Sequence, residues 1–301
     1  MDLSGVPLFP AFRKVAVEDC DLVRSLFSQH PTEVSERTFG SIFMWRLYED
    51  RSRLSQLEGH LLISWRREKF GSLLLEPVGP DPVRVISKLA GAGRVGTSFN
   101  GVFGLVEPVV SSLRSAGLNA ESLRDEWDYV YRTQDLVRLE GPDYHTQRKE
   151  MKKATLSYEL AYERMTPEHR DACLQLEETW CDMKSCTLEK FSSAEDLALK
   201  QALEHMDEIG FFGGVVLIDG KVQALTLGEK LNQNTAAVHF EKANPAIRGL
   251  YQVINQRFCE NELGGFEFVN REQDVGEPGL RRAKEGYRPH HFVEKHLLRW
   301  A

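Results

Sequence analysis

The chain has 301 residues, room for two domains of about 150 residues, each with its own core. Its composition, 42% hydrophobic and 28% charged, excludes a disordered or low-complexity protein. The formal net charge of −7 excludes a protein that coats nucleic acid over its whole surface.

In chain order, residues 12–17 read as a strand and residues 19–27 as a helix with Leu22, Val23, Leu26 and Phe27 on one face. Residues 31–53 are aromatic-rich and read as helical around Phe43-Met44-Trp45. Residues 61–65 and 72–75 form an expected antiparallel pair. Asp81-Pro82 opens a helix that Gly91-Ala92-Gly93 stops. A strand over 102–106, a helix over 108–116 and a strand over 127–132 complete the first half.

A similar order then recurs. A strand over 158–164 leads to a helix that starts at Thr166-Pro167-Glu168, with Thr as cap and Pro at the first helical position. A second helix covers 194–209. Strands 211–218 and 222–229 are joined by Asp219-Gly220, a strong hairpin signal. A third strand over 235–242 carries Val238 and Phe240 on one face. A helix from Gly249 places Leu250, Val253, Ile254 and Phe258 on one stripe. A strand over 265–269, a helix over 278–286 and a strand over 291–298 end the chain.

No run approaches 18 consecutive apolar residues, so no membrane helix is expected. The N-terminal residues do not read as a signal peptide. Five scattered cysteines, an odd number, suit a reducing compartment, and the expected location is the cytoplasm. Charge is uneven: between residues 281 and 299 the balance is +4, from Arg281, Arg282, Lys284, Arg288, Lys295 and Arg299 against Glu285 and Glu294. A second basic knot holds Arg148, Lys149, Lys152 and Lys153 against Glu150. Such patches on an acidic body suit an anionic ligand that touches one place, or are simply solvated helix faces.

The densest polar run is Asn270-Arg271-Glu272-Gln273-Asp274, directly after the strand over 265–269. Ligands of α/β sheets bind beyond the carboxyl ends of strands, where this run lies. The plain alternative is a capped turn with surface ion pairs. The following helix puts Lys284 on an otherwise apolar stripe, so it must pair, snorkel or meet a ligand. His239 and Glu241 share a strand face. The helix start at Arg248-Gly249 offers free backbone N–H groups to an anion. Cys181-x4-Cys186 is not a zinc spacing, and His290 and His291 alternate on a strand, so no metal is expected.

Three stretches carry a family resemblance. They are Phe240-Glu241-Lys242-Ala243; Gly249-x-Tyr251-x-x-Ile254-Asn255; and a long final run from Phe268 through Asn270-Arg271-Glu272-Gln273-Asp274-x-Gly276 and Gly279-Leu280-Arg281-x-Ala283-Lys284 to Tyr287-x-Pro289. The chain resembles the bacterial family similar to the C-terminal domain of phosphatidylglycerol lysyltransferases. The resemblance covers nearly the whole chain, including Phe39-Gly40-x-Ile42-Phe43-x-Trp45-Arg46. It implies an α/β fold of two tandem GNAT-like lobes, an N-terminal one over 1–130 and a C-terminal one over 131–301 that carries the site. It also implies transfer of an aminoacyl group, in the lysyltransferases from aminoacyl-tRNA to a lipid head group. Those enzymes carry a long N-terminal membrane portion, and no such apolar stretch is present here, so the acceptor stays open: small molecule, lipid head group or peptide. Acyl-CoA users of this fold carry a glycine-rich run before the central helix. Here Asn244-Pro245-Ala246-Ile247-Arg248-Gly249 has a single glycine, which disfavours acyl-CoA, and no cofactor is expected.

Aminoacyl transfer from an ester needs alignment, a binder for the donor amine and cations for the phosphate end. Glu241, Glu272 and Asp274 are the candidates for amine recognition or proton handling. Arg271, Arg281 and Lys284 are the candidates for the anionic part, with Asn270 and Tyr251 orienting. A local basic patch would meet aminoacyl-tRNA. Two rival readings remain, a catalytically silent binder or scaffold on the same fold and an acyl-CoA N-acyltransferase.

Overall fold

The computed structural model describes residues 3–48, 50–183 and 191–300. The chain divides into two compact units, Met1–Asp128 with Val293–Ala301, and Tyr129–Phe292. In chain order the first stretch contains β1 (Arg13–Lys14), α1 (Cys20–Gln29), α2 (Phe39–Met44), β2 (Ser52–Leu57), β3 (His60–Arg67) and β4 (Gly71–Leu75). It continues with α3 (Pro82–Thr97), β5 (Gly101–Leu105), α4 (Val109–Ser115), β6 (Glu121–Ser122) and β7 (Asp128–Arg132). Next come α5 (Thr133–Arg138), α6 (His145–Ser157), β8 (Leu160–Arg164), α7 (Arg170–Met183), α8 (Phe191–Glu204) and α9 (Met206–Ile209). The chain ends with β9 (Phe212–Ile218), β10 (Lys221–Lys230), β11 (Thr235–Ala243), α10 (Leu250–Asn261), β12 (Phe268–Asn270), α11 (Pro278–Glu285), β13 (His291–Val293) and β14 (His296–Arg299).

Each unit is built on one mixed sheet. The first runs β1-β2-β3-β4-β5-β14-β6 and the second β13-β7-β12-β11-β10-β9-β8. Both follow one plan. Four antiparallel strands lead to a parallel pair, β4 with β5 or β11 with β12. An antiparallel strand then closes the pair, β14 in the first sheet and β7 in the second. That closing strand comes from the other half of the sequence in both cases. The expected split at residue 130 does not describe this routing. Residues 293–301 join the first unit, and the strand expected over 291–298 is two strands in two different sheets.

Local chemistry explains the hairpins. Asp219 and Gly220 have φ of 50° and 71°, and Glu58 and Gly59 have 49° and 77°. Two successive positive φ values make the turn whose twist matches the flanking strands. The second of these hairpins bounds β2, most of which lies past residue 53, where no element was expected. Its sequence SRLSQL alternates only weakly, and the helix in the aromatic-rich stretch before it is limited to Phe39–Met44, capped by Thr38 accepting from the Ser41 N–H. The cores are apolar layers between sheet and helices. Leu62, Leu74, Val102 and Leu298 pack on Val85, Ile86, Leu89, Val110 and Leu113 in the first unit. Val216, Ala224 and Ala243 pack on Leu250, Val253 and Ile254 in the second. Among the described residues, no helix is long and apolar enough to cross a membrane.

Candidate functional site

β11 outruns its parallel partner. The register pairs Thr235, Ala236 and Ala237 with Phe268, Val269 and Asn270, and β11 then continues to Ala243 alone on that side. The chain beyond Asn270 leaves the sheet as a loop that α11 ends. His239, at a bulge of β11, and Glu241 both lie on this unpaired stretch and both reach the loop. Two charged bridges cross this gap. His239 Nδ1 lies 2.7 Å from Glu272 Oε1. Arg271 Nη2 donates to Glu241 Oε1 and Oε2 at 2.9 and 3.0 Å.

The loop is held in a conformation that costs energy. Glu272 has φ 57° and Val275 φ 49°, both in the left-handed region that branched and long side chains avoid. Several bonds pin Glu272. Its N–H donates to Asn270 Oδ1 at 2.8 Å, and its carbonyl accepts from Lys284 Nζ at 3.1 Å and from the Tyr129 N–H at 3.2 Å. Lys284 Nζ also donates to the Arg271 carbonyl. The stripe lysine thus caps backbone oxygens at the edge of the core.

Asp274 is fully enclosed, and its acceptor positions are filled from within the chain. Oδ1 accepts from the Gly276 N–H at 2.8 Å and Arg281 Nη2 at 2.9 Å. Oδ2 accepts from Arg281 Nε at 2.8 Å and the Tyr129 hydroxyl at 2.5 Å. Burial works to raise this carboxyl, but the bonds from Arg281, Tyr129 and Gly276 outweigh it and hold it at about 2. A carboxylate offers about four acceptor sites, so little is left for a ligand. Expected as a catalytic group, Asp274 is placed as the knot that fixes the loop to β7 and α11.

His239 is enclosed between Glu272 and Glu229, whose Oε1 lies 3.0 Å from His239 Nε2. Burial disfavours the imidazolium, yet the two carboxylates more than offset it and push the group up to about 10. The histidine is therefore charged at neutral pH. Glu241 accepts from Asn255 Nδ2 at 3.0 Å as well as from Arg271. The Arg271 guanidinium lies over the rings of Tyr287 and Tyr131, at 4.9 and 5.7 Å. Arg271 Nη1 and Asn255 Oδ1 are buried without a hydrogen-bond partner.

Seven of the eight expected site residues, Glu241, Asn270, Arg271, Glu272, Asp274, Arg281 and Lys284, thus form one bonded network. The eighth, Tyr251, packs against the apolar cluster of Ala154, Leu250 and Val253. Tyr129 and Glu229 were not expected at the site, and Asn255 stood in the family motif without an expected role there. Glu229 was visible only as an acid ending an apolar strand, and Tyr129 lies 145 residues from the aspartate it contacts.

Several expectations change. Of the basic run over 281–299, Arg281 pairs with Asp274, Arg288 with Asp143 and Arg299 with Glu121. Lys295 is buried between Glu36 and Asp128, and Lys284 caps carbonyls, so the run is dispersed rather than gathered into an anion patch. The start of α10 is closed to an anion. Arg248 pairs with Glu150, and a Cβ at Gly249 would stand 2.0 Å from the Glu150 carbonyl oxygen. His290 and His291 do not point apart. His290 precedes β13, so strand alternation does not reach it, and the two Nδ1 atoms lie 2.9 Å apart. Among the described residues, no group of three or more His, Cys, Asp or Glu side chains could hold a metal ion. The Cys181 and Cys186 side chains lie outside what the structure describes.

Comparison with known proteins places this geometry. The chain is similar to a conserved protein of unknown function from Bacteroides thetaiotaomicron, with 27% identity and a TM-score of 0.87, over 96% of this chain and 99% of that one. The structure of L-PGS from Bacillus licheniformis matches with 13% identity and a TM-score of 0.62, over 99% of this chain and 94% of that one. A tandem GNAT protein from the clavulanic acid biosynthesis pathway matches with 12% identity and a TM-score of 0.52, over 97% and 98%. The last two likenesses show the fold, two tandem GNAT-like lobes. No curated protein sequence matches the chain. The sequence family described as phosphatidylglycerol lysyltransferase, C-terminal, matches residues 27–299, nearly the whole length. This chain belongs to that phosphatidylglycerol lysyltransferase C-terminal family.

Proposed function

We propose that the chain is an aminoacyltransferase that receives the ammonium group of an aminoacyl ester on Glu272. The observation that carries this reading is the state of Glu272. Its backbone is held left-handed from several sides, and one carboxylate oxygen is bonded to a charged histidine. The side chain keeps 25% of its exposure, the most open acid of the network. Such a carboxylate is fixed in place before a ligand arrives, which is what alignment requires. Asn270, Lys284, Asp274 and Arg281 position it, and Arg271 with Glu241 braces the adjoining gap.

In the reaction, an acceptor hydroxyl or amine attacks the ester carbonyl and the bond from that carbonyl to the ribose oxygen breaks. The acceptor's proton ends on that oxygen. Aminoacyl-tRNA is the donor that fits the family, and its phosphates would meet the exposed face of α6. There Lys149 and Lys152 make no ion pair among the described residues. A lipid head group, a small molecule and a peptide are the acceptor classes to compare.

Titration with lysinamide and a transfer assay with charged lysyl-tRNA test this reading, each on the protein and on Glu272→Gln. The variant should bind lysinamide about tenfold more weakly and transfer about 100-fold less, and should remain folded while losing about 1–3 kcal/mol, because the enclosed His239 keeps only one carboxylate. Absence of lysinamide binding by the unaltered protein would sink the reading. Binding without transfer to any acceptor class would favour the silent binder. A saturable rise of the melting temperature with acetyl-CoA would favour acyl-CoA chemistry.

A further inference from the structure

A cavity of about 290 Å³ in the first unit lies apart from the network described above, and its lining is built from a different set of side chains. Its floor is one face of the sheet. Arg53 on β2 is paired in register with Ser64 on β3, and Arg66 on β3 with Ser72 on β4. Residues two apart on a strand share a face, so these four side chains stand together. On the same face Leu74, the register partner of Ser64, belongs to the apolar core. The polar floor is thus the end of a core layer. Phe12 and Phe99 line the cavity above it, their ring centroids 5.3 Å apart.

Two polar atoms of the floor are donors in need of acceptors. Ser64 Oγ is buried and has no hydrogen-bond partner, and the residue is only 8% exposed. Arg53 Nε is likewise buried without a partner, while its Nη2 donates to the Phe12 carbonyl at 3.3 Å. Leaving such groups unmet is costly, and a ligand oxygen would recover that cost. Arg51 also borders the cavity, and its guanidinium is committed to aromatic rings. It sits over the rings of Trp45, Tyr48 and Trp65 at 4.7, 5.3 and 5.6 Å, which holds it in place. The single acid among the described residues of the lining, Asp50, is drawn to Lys14 at 3.4 Å.

We propose that this cavity is a second ligand site, which takes a compact phosphate monoester. The phosphate oxygens accept from Arg53, Ser64 and Arg66, and the ester's organic group lies against Phe12 and Phe99. Guanidinium groups suit the planar, paired acceptors of a phosphate. A volume near 300 Å³ is at the small end for ligand pockets, which limits the organic part to about the size of one ring. The site lies wholly within the first unit and does not rest on the transferase reading.

Calorimetric titration of the full chain with phenyl phosphate tests the proposal, against sodium chloride at matched ionic strength, inorganic phosphate and phenol. Phenyl phosphate should bind saturably and phenol should not. Arg66→Gln, at an exposed position, should weaken binding about tenfold with no change in melting temperature. Ser64→Ala, which leaves the charges alone, should weaken it about threefold. No saturable binding above the chloride control would overturn the site, as would unchanged binding in both variants. Inorganic phosphate binding as tightly as phenyl phosphate would overturn the aromatic half of the assignment.

Discussion

The two units place charged clusters beside equivalent strands, and the clusters differ in one property. In the first unit Lys295 Nζ donates to Glu36 Oε2 and Asp128 Oδ1, both at 2.7 Å. Ser35 donates to Asp128 through its N–H at 2.9 Å and its hydroxyl at 3.0 Å, and Arg67 donates to Glu126 at 2.5 Å. Lys295 and Asp128 are 0% exposed and Glu36 is 3% exposed. In the second unit exposure is graded, from 0% at the Asp274 side chain through 15% at Glu241 and 25% at Glu272 to 31% at Arg281. Each cluster lies next to the strand that comes from the other half of the chain, β14 or β7. The closed cluster can only hold that strand in place. The graded one also holds its strand, through Tyr129 and Asp274, but carries the tie outward to a carboxylate that can meet a ligand. Charge alone therefore does not mark a site; the path from buried anchor to open oxygen does.

The sharpest way to break this contrast is Lys295→Met. Removing the cation leaves Glu36 and Asp128 facing each other without water, and breaking a buried pair from one side costs about 3–5 kcal/mol. Urea unfolding of the variant should show that loss. A loss below about 1 kcal/mol, the range of exposed pairs, would mean the first cluster is solvated and the contrast is false. Arg271→Ala should cost less, about 2–3 kcal/mol, because Arg271 and Glu241 keep 12% and 15% of their exposure. The same melts decide it. Equal losses in the two variants would remove the gradient on which the second cluster's role depends.

The parts of this picture that were legible in the sequence are local. The Asp219-Gly220 turn, the stripe of the helix that begins at Leu250, and the polar run from Asn270 to Asp274 depend on neighbours in the chain. α6 escaped notice because only Gln147 and Ala154 of its thirteen residues are buried, too few to set a period. The exchange of β7 and β14 is a long-range choice that no local pattern encodes. The same holds for the bonds from His239 to Glu229 and Glu272, 10 and 33 residues away. Strand alternation does not carry His239 and Glu241 to one face, because a bulge at His239 interrupts it: His239 meets Glu229 while Glu241 reaches Asn255 on α10, and only the short length of β12 determines that a loop meets both. Lys284 on its apolar stripe was the clearest warning in the sequence, and its partners proved to be backbone carbonyls.

The smallest expected effect is also the most specific, because it reads the charge of the histidine bonded to the open carboxylate. His239 faces Glu229 and Glu272, with the ring of Phe211 set edge-on at 6.0 Å. Its folded value near 10 lies above the ordinary 6.5 of an unfolded histidine. The folded chain therefore binds a proton that the unfolded chain releases. The resulting stability is fully present below pH 6.5 and is lost as the pH rises through 10. Between pH 7 and pH 8 this one group should remove about 1 kcal/mol of unfolding free energy. His239→Gln keeps a polar side chain but cannot titrate, so its stability should fall less steeply over the same range. Urea titrations at pH 6, 7, 8 and 9 on both proteins give the difference in slope. Equal slopes would mean that His239 is neutral in the folded chain. Glu272 would then have no fixed positive charge behind it, and nothing would separate it electrostatically from an ordinary surface glutamate. A steeper fall in the unaltered protein would show that the open carboxylate is held by a charged histidine, which the sealed cluster of the first unit does not have.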